Sequence, residues 1–267
     1  MNNHKRWVSE VFDRTAPEYG KKSSSFFSNF GKRLVEQVEI LPGQHVLDIA
    51  TGRGAVLFPL AEAVGPTGKV VGIDISQKMI TETSKEVLKK DLSWAELRCM
   101  DAESLDFPDS SFDFVFCGFG LFFLPSIPTA LSEFKRVLKP GGKVVVSTWG
   151  EDSELDTWVN EETKKVCETN SLIATPLWSE RELFNFLKDA CFNNIQISEE
   201  TMHFFHRTTE EWWDSLWSHA TRAQFEQLIP DQITNLRKKA VLKGNNLNKG
   251  QGIPEELQVL YGISQKS

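Results

Sequence analysis

Residues 45–54, His-Val-Leu-Asp-Ile-Ala-Thr-Gly-Arg-Gly, pass from the apolar run of a buried strand into an acid and then a glycine-containing turn. Val46, Leu47 and Ile49 supply the hydrophobicity of a strand covered on both faces, the pattern of a parallel sheet. Gly52 and Gly54 let the backbone turn tightly and approach a ligand without a Cβ in the way. A second apolar run begins at Lys69 and ends in Gly72-Ile73-Asp74-Ile75, so an acid closes each of two successive strands. In a βαβ unit, a carboxylate at the end of the second strand accepts hydrogen bonds from both ribose hydroxyls and repels a 2′-phosphate. Asp48 argues against phosphate at the turn itself, where a helix N-terminus would otherwise hold one. The ligand these residues describe is an adenosine without phosphates, carrying a cationic or zwitterionic group.

The alternation continues along the chain. Apolar runs predict strands at 45–50, 69–74, 95–99, 113–117 and 143–149, with helices at 26–40, 55–64, 77–90, 127–138 and 179–190. Lys139-Pro140-Gly141-Gly142 reads as a helix stop and tight turn that fixes the start of the fifth strand. After 190 the pattern changes to one long strand, Ile195 to His206, then polar and aromatic helices over 208–243, then a strand from Leu257 to Ile263. The expected fold is α/β: a doubly wound, seven-stranded, mostly parallel sheet with an antiparallel last strand. A single domain over 1–267 would carry an N-terminal helical segment at 1–40 and a helical lid insert at 208–250. Lys243 to Gln251 reads as a flexible loop. The lid's stripe of Trp212, Trp213, Leu216, Trp217, Phe225, Leu228 and Ile229 must cover something apolar, either the lid's own packing or a substrate.

Composition narrows the partners. With 267 residues and a net charge of −7, the chain lacks the basic excess that phosphate backbones require, so nucleic acid is not expected as a partner. Cys99, Cys117, Cys167 and Cys191 are far apart, with no C-x-x-C pair, which predicts neither a zinc site nor a disulfide framework and fits reduced cytoplasmic thiols. No bound metal is expected. The first residues are polar and charged, and no stretch reaches the ~20 apolar residues of a membrane helix. A cytoplasmic location follows as the expectation, with oligomeric state open.

Four motifs over residues 12–149 give the chain its likeness. They are the turn at Asp48–Gly54, the strand end at Asp74, the segment Arg98-Cys99-Met100-Asp101-Ala102-Glu103, and the strand Phe112 to Gly120; Phe12-Asp13, Ala16 and Tyr19 add an N-terminal signature. On these the chain resembles class I S-adenosylmethionine-dependent methyltransferases, in the branch of the quinone-biosynthesis C-methyltransferases and their small-molecule relatives. The resemblance implies S-adenosyl-L-methionine as cofactor, with S-adenosyl-L-homocysteine as product. It implies that Gly52 and Gly54 face the methionine half, that Asp48 acts through water or backbone near the amino group, and that Ile75 and Met79 sandwich the adenine. Asp101 would accept from the adenine amino group, Ala102 would donate its backbone N–H to a ring nitrogen, the Cys117 carbonyl would accept from the ammonium, and Tyr19 would close over the ligand. The competing reading of Asp101 is a loop cap, since Asp before a helix is common. Ala50 stands where the family has its first turn glycine, and an alanine there suggests ordinary backbone angles.

The acceptor pocket is expected from Phe119, Phe122, Trp149, His203 and Trp213, whose aromatic character favours a small apolar or aromatic molecule. A sulfonium methyl is already electrophilic, so positioning in line with the S–CH3 bond and water exclusion do most of the catalysis. A base is needed only if the acceptor must lose a proton, with His203, His206 and His219 as candidates and no catalytic residue assigned. Cys117 has no histidine near it in sequence to make it a nucleophile. An NAD-dependent oxidoreductase is disfavoured because the third fingerprint glycine would fall at Leu57. An aminopropyltransferase is disfavoured because Gly118 to Pro125 holds no acid. A noncatalytic cofactor- or partner-binding protein of the same fold stays open.

Overall fold

A computed structural model describes residues 2–19, 26–151, 153–166 and 178–267; Cys167 lies outside them. Helices α1 (Asn3–Thr15) and α2 (Phe26–Val35) precede β1 (His45–Ile49), α3 (Leu57–Val64), β2 (Lys69–Asp74), α4 (Gln77–Lys89) and β3 (Ala95–Cys99). Then come β4 (Phe112–Gly118), a single 3-10 turn at Leu121–Phe123, α5 (Ile127–Val137) and β5 (Leu138–Trp149). The chain closes with α6 (Glu154–Lys164), α7 (Glu180–Asp189), β6 (Asn193–His206), α8 (Thr209–Leu216), α9 (Arg222–Phe225), α10 (Pro230–Leu247) and β7 (Ile253–Gln265).

The seven strands form one sheet in the order β3-β2-β1-β4-β5-β7-β6. Strands β3, β2, β1, β4 and β5 pair in parallel, and β7 runs antiparallel to both neighbours. This is the Rossmann-like fold of methyltransferases. The order reverses between β1 and β4, and ligands of doubly wound sheets bind in the crevice beyond the strand ends at such a point. Leu47, Ile49, Val115 and Val146 pack on the α5–α7 side of the sheet, while Val46, Phe116 and Val145 pack beneath α2 and α3. Burial on both faces is why these strands read as unbroken apolar runs rather than as alternating ones.

Several elements differ from the expectation; α10 runs through Lys243 to Leu247, where a loop was expected, and β7 starts at Ile253 rather than Leu257. The segment Lys139–Gly142 is not a turn that ends before the strand: β5 begins at Leu138, opposite Phe112, and the next pair, Phe114 with Lys143, leaves those four residues as an excursion within the strand. Gly141 takes φ +77° there. Helix α2 stops at Val35 rather than 40. Helix α6, unexpected from the sequence, puts Leu155 and Val159 into a small separate core with Trp212, Trp213, Leu216 and Phe225 of the lid.

Two helices roof the crevice. Along α1, Val8, Val11 and Thr15 are buried at helical spacing, and three polar residues on it tie it to the sheet's edge. Ser9 Oγ donates to the Ile75 carbonyl (3.1 Å), Asp13 Oδ1 accepts from Ser76 Oγ (2.6 Å) and Lys78 N (3.0 Å), and Lys5 Nζ pairs with Asp101 (2.7 Å) and Glu103 (2.5 Å). Helix α2 sits so close to the first turn that a Cβ on Gly31 would lie 2.2 Å from the Ala55 carbonyl oxygen, a backbone atom that cannot step aside cheaply. Gly31→Ala is therefore expected to destabilise the protein by about 2 kcal/mol, since forcing a methyl into a packed contact typically costs this much. A fall in the thermal midpoint measures it, and an unchanged midpoint would show that α2 is not seated on that turn.

Candidate active site

The crevice is a cavity of about 580 Å³ at the C-terminal ends of β1, β2 and β4. Ala50, Gly52 and Gly54 form its floor, Asp74, Ile75 and Met79 one wall, Asp101 and Ala102 the far end, and Tyr19 the roof. Gly52 (φ +50°) has nothing but the Ala50 carbonyl within 4 Å of where its Cβ would be, so the turn opens into the cavity. At Gly54 (φ +83°) a Cβ would meet the Phe58 ring at 2.5 Å, so both its backbone angle and its close neighbour require glycine. Ala50 departs from the ordinary angles expected of it: its φ is +54°, a left-handed conformation costing an L-residue roughly 1–2 kcal/mol. Phe119, at the facing strand end, takes φ +53°. Strain at two adjoining strand ends is held by packing, for a Cβ on the intervening Gly120 would touch both Ala50 and Cys117.

Asp74 is pinned by the backbone. Its Oδ2 accepts from Gly52 N (2.9 Å) and its Oδ1 from Ser76 N (2.8 Å), which joins the first turn to the second strand. Burial pushes its pKa up to about 6 against these hydrogen bonds, with Asp13 nearby adding to the rise. Asp48 lies beneath the floor, 1% exposed, and does not line the cavity. Its Oδ2 accepts from Thr51 Oγ1 (2.6 Å), whereas Oδ1 is buried without a hydrogen-bond partner. Burial, opposed by the Thr51 hydrogen bond and reinforced by the charge of Asp74, pushes Asp48 up to about 7. The Tyr19 hydroxyl is raised well above its ordinary value by burial and by Asp74, and its ring stacks on Phe27 at 5.2 Å.

Other residues stand apart from their expected places. Cys117 is wholly buried and does not reach the cavity; Gly118, one residue on, does. Its thiol is pushed far up by burial and then by the Asp48 charge, which leaves it no thiolate character. At Asp101, Oδ1 accepts from Glu103 N (2.9 Å) and Oδ2 from Lys5, so the loop cap and a cavity-lining role coincide in one side chain. Arg53, a cation not expected at the site, lines the cavity, donates to the Ala16 carbonyl (2.7 Å), and keeps a buried Nε without a partner. Its signal was in plain view, a cation between the two turn glycines.

A second chamber of about 110 Å³ opens beyond the first, and Phe12, Tyr19, Phe27, Phe119 and Phe123 line both. Phe122 and Trp149 line the second one, Trp149 stacked on Phe119 at 4.2 Å. His203 and Trp213 do not belong to either. On β6, Met202 and Phe204 turn inward and His203 outward, where it pairs with Glu256 in solvent at 3.3 Å. Trp213 is buried in the lid's own core, stacked on Phe225 at 5.3 Å. The lid instead offers the chamber Ser215, His219, Thr221 and Gln224. Among the described residues no helix is long and apolar enough to cross a membrane, and no cluster of side chains has the makings of a metal site.

Comparison with known proteins bears on the same region. Residues 1–155 match the ubiE/COQ5 methyltransferase family. Over 238 residues the chain is 30% identical to nocamycin O-methyltransferase of Saccharothrix syringae, covering 83% of this chain and 85% of that protein. It is 40% identical over 147 residues to aklanonic acid methyltransferase DauC of Streptomyces sp. strain C5, covering 55% and 67% of the two chains. With the demethylmenaquinone methyltransferase of Symbiobacterium thermophilum it shares 37% over 147 residues, 58% of that protein's length. The solved structure of YcgJ from Bacillus subtilis superposes with a TM-score of 0.62 over 89% of this chain and 98% of that one, at 20% identity, a likeness of fold. An acid-tipped βαβ unit with an open glycine turn and an unpartnered buried carboxylate oxygen suits a cationic adenosine ligand, and the matches agree: this chain belongs to the ubiE/COQ5 methyltransferase family and is an S-adenosylmethionine-dependent methyltransferase.

Proposed function

We propose that this protein methylates an oxygen of a small aromatic acceptor held in the second chamber. The observation that carries this is the aromatic neck, Phe12, Tyr19, Phe27, Phe119 and Phe123, through which that chamber meets the larger cavity. Its volume is on the scale of the roughly 150 Å³ cavities that take up benzene, about one small ring. Oxygen as the accepting atom is supported by the O-methyltransferase named for nocamycin, whose likeness covers 83% of this chain. The bound cofactor supplies a methyl group on a positively charged sulfur.

In this reading Asp74 accepts from the ribose hydroxyls, Ile75 and Met79 flank the adenine, and Asp101 with the Ala102 backbone meets its polar edge. Ala50, Gly52 and Gly54 would give the methionine half a floor without bulk, the guanidinium of Arg53 would pair with its carboxylate, and Asp48 would supply negative charge toward its ammonium. Tyr19 and the roof helices would exclude water, while Phe119, Phe122 and Trp149 would hold the acceptor ring for attack of its oxygen on the methyl group. The wide spacing of the four cysteines, with no C-x-x-C pair, supports a reducing, cytoplasmic setting.

The test is a turnover screen. Purified protein with S-adenosylmethionine is offered phenols, anilines and carbon acids of 1,3-dicarbonyl type, with mass spectrometry of the products. Methylated phenols are the expected result. Products methylated only at nitrogen or carbon would overturn the oxygen assignment.

A further inference from the structure

The polar end of the second chamber is assembled from three elements far apart in sequence. His206 ends β6, Glu255 is the third residue of β7, and His219 lies in the lid between α8 and α9. His206 Nε2 and Glu255 Oε2 are 2.7 Å apart, with side chains 0% and 8% exposed. Glu255 and His219 both line the chamber, whereas His206 lies behind Glu255 and does not. The His219 ring meets Phe26 and Phe27 edge-on at 6.2 and 6.4 Å, and Phe27 is part of the neck leading to the methyl-donor cavity. Thr221 Oγ1 engages Nδ1 of His219 at 3.2 Å, which leaves Nε2 for a ligand.

We propose that His219 is the general base that takes the proton of the acceptor's hydroxyl, and that Glu255, fixed by His206, is the positioning residue that favours the imidazolium so formed. This rests on the oxygen-acceptor reading above. The acceptor's O–H bond breaks and its proton passes to Nε2 of His219. The oxygen's electron pair forms the new bond to the methyl carbon, and the pair of the broken S–CH3 bond stays on sulfur. Sulfur thereby loses its positive charge while His219 gains one, so the net movement of charge is from the first cavity toward Glu255.

The surroundings suit that movement. Burial presses His219 down to about 4, against the pull of Glu255 and with His206 adding to the fall. The resting ring is therefore neutral at pH 7 with a lone pair to offer, while the same burial weakens it as a base, so Glu255 must favour the imidazolium during the transfer. The other titratable groups lining the chamber are Tyr19, Glu151 and Asp156, and among the described lining residues there is no Lys or Arg to oppose a new positive charge. The alternative histidines lack these features. His203 stands in solvent, and His206 is enclosed, its Nδ1 without a partner and out of the chamber.

The deciding experiment compares wild type with His219→Gln and Glu255→Gln on a series of phenols of graded acidity, at fixed pH, with KM for S-adenosylmethionine and melting temperature measured in parallel. For weakly acidic phenols His219→Gln is expected to lower kcat about 100-fold or more, the typical worth of a general base. For 4-nitrophenol, which ionises in water without help, the loss should shrink to a few-fold, and KM for the cofactor should stay unchanged. Glu255→Gln should reproduce the same acidity-dependent pattern at smaller amplitude. If His219→Gln fails to melt and bind cofactor like wild type, His219→Asn and Glu255→Gln serve for the same comparison. An equal loss across all phenols, or none, would overturn the assignment of the base while leaving the oxygen acceptor standing. Wild-type turnover confined to anilines, or absent altogether, would overturn both, because a neutral amine attacks without first losing a proton.

Discussion

Asp74→Ala is expected to weaken S-adenosylmethionine binding by at least 100-fold, read by calorimetric titration, with NAD giving no heat against either protein. The magnitude follows from what one carboxylate does at this position. Two hydrogen bonds from ribose hydroxyls to a buried charged acceptor are worth about 1.5–3 kcal/mol each, and 1.4 kcal/mol is tenfold in affinity. Asp74 also holds Gly52 N and Ser76 N, so the alanine variant releases the floor of the cavity from the second strand. Asp74→Asn separates the two effects. It keeps one acceptor and the shape but turns an amide NH2 toward Gly52 N or Ser76 N, so its melting temperature should fall less than that of the alanine variant while affinity still falls. Wild-type affinity in either variant would show that the ribose is held elsewhere. Binding lost together with the folded state would assign Asp74 a purely structural role.

The sheet was legible because its physics is local. Strands covered on both faces must be apolar throughout, so Val46, Leu47, Val70, Val71, Val115 and Val144 to Val146 announce themselves, and the helices between them show in the remaining periodicity. Helix α6 was not, because Leu155 and Val159 are its sole buried apolar residues and they pack with the lid and the start of β7, away from the main core. Of the lid's apolar stripe, Trp212, Trp213, Leu216, Phe225 and Leu228 are covered and Ile229 is exposed, and periodicity cannot say by what they are covered. Trp213 turned into the lid's own core, and the polar lid residues face the acceptor chamber.

Site residues divide in the same way. Gly52, Gly54 and Asp74 sit on one βαβ unit whose geometry is fixed by a stretch of about 30 residues. By contrast, the His206–Glu255 pair joins residues 49 positions apart across the β6–β7 register, and His219 reaches them only through the fold of the lid. His203 failed as a pocket residue for a simpler reason: on a strand, a shift of one residue moves a side chain to the opposite face. Ala50 shows a limit of another kind. An alanine gives no sequence sign that its backbone is left-handed, and the packing of two strand ends against each other forces that conformation.

The two buried acids give binding a pH dependence whose sign can be worked out. In the unliganded protein Asp48 and Asp74 are raised to about 7 and about 6, mainly by burial, so folding favours their neutral forms. Their contribution to stability is therefore fully present below the unfolded pKa of about 4 and is lost as pH rises through the folded values. A ligand bearing an ammonium and a sulfonium reverses the preference, because ionised carboxylates beside it are stabilised. Binding should then strengthen between pH 5.5 and 7.5 by about 10–30-fold, the effect of one required ionisation with a pKa near 7. It should release protons, measurable as a buffer-dependent heat, and the melting-temperature gain on adding S-adenosylmethionine should be larger at pH 7.5 than at 5.5. S-adenosylhomocysteine, which lacks the sulfonium charge, should show a shallower slope, so the protein discriminates better against its own product as pH rises. Asp48→Asn should flatten the slope and raise the melting temperature of the unliganded protein at pH 7.5. An affinity independent of pH, or a slope that survives Asp48→Asn unchanged, would mean that Asp48 does not ionise in response to the ligand and that its unpartnered oxygen serves the turn alone.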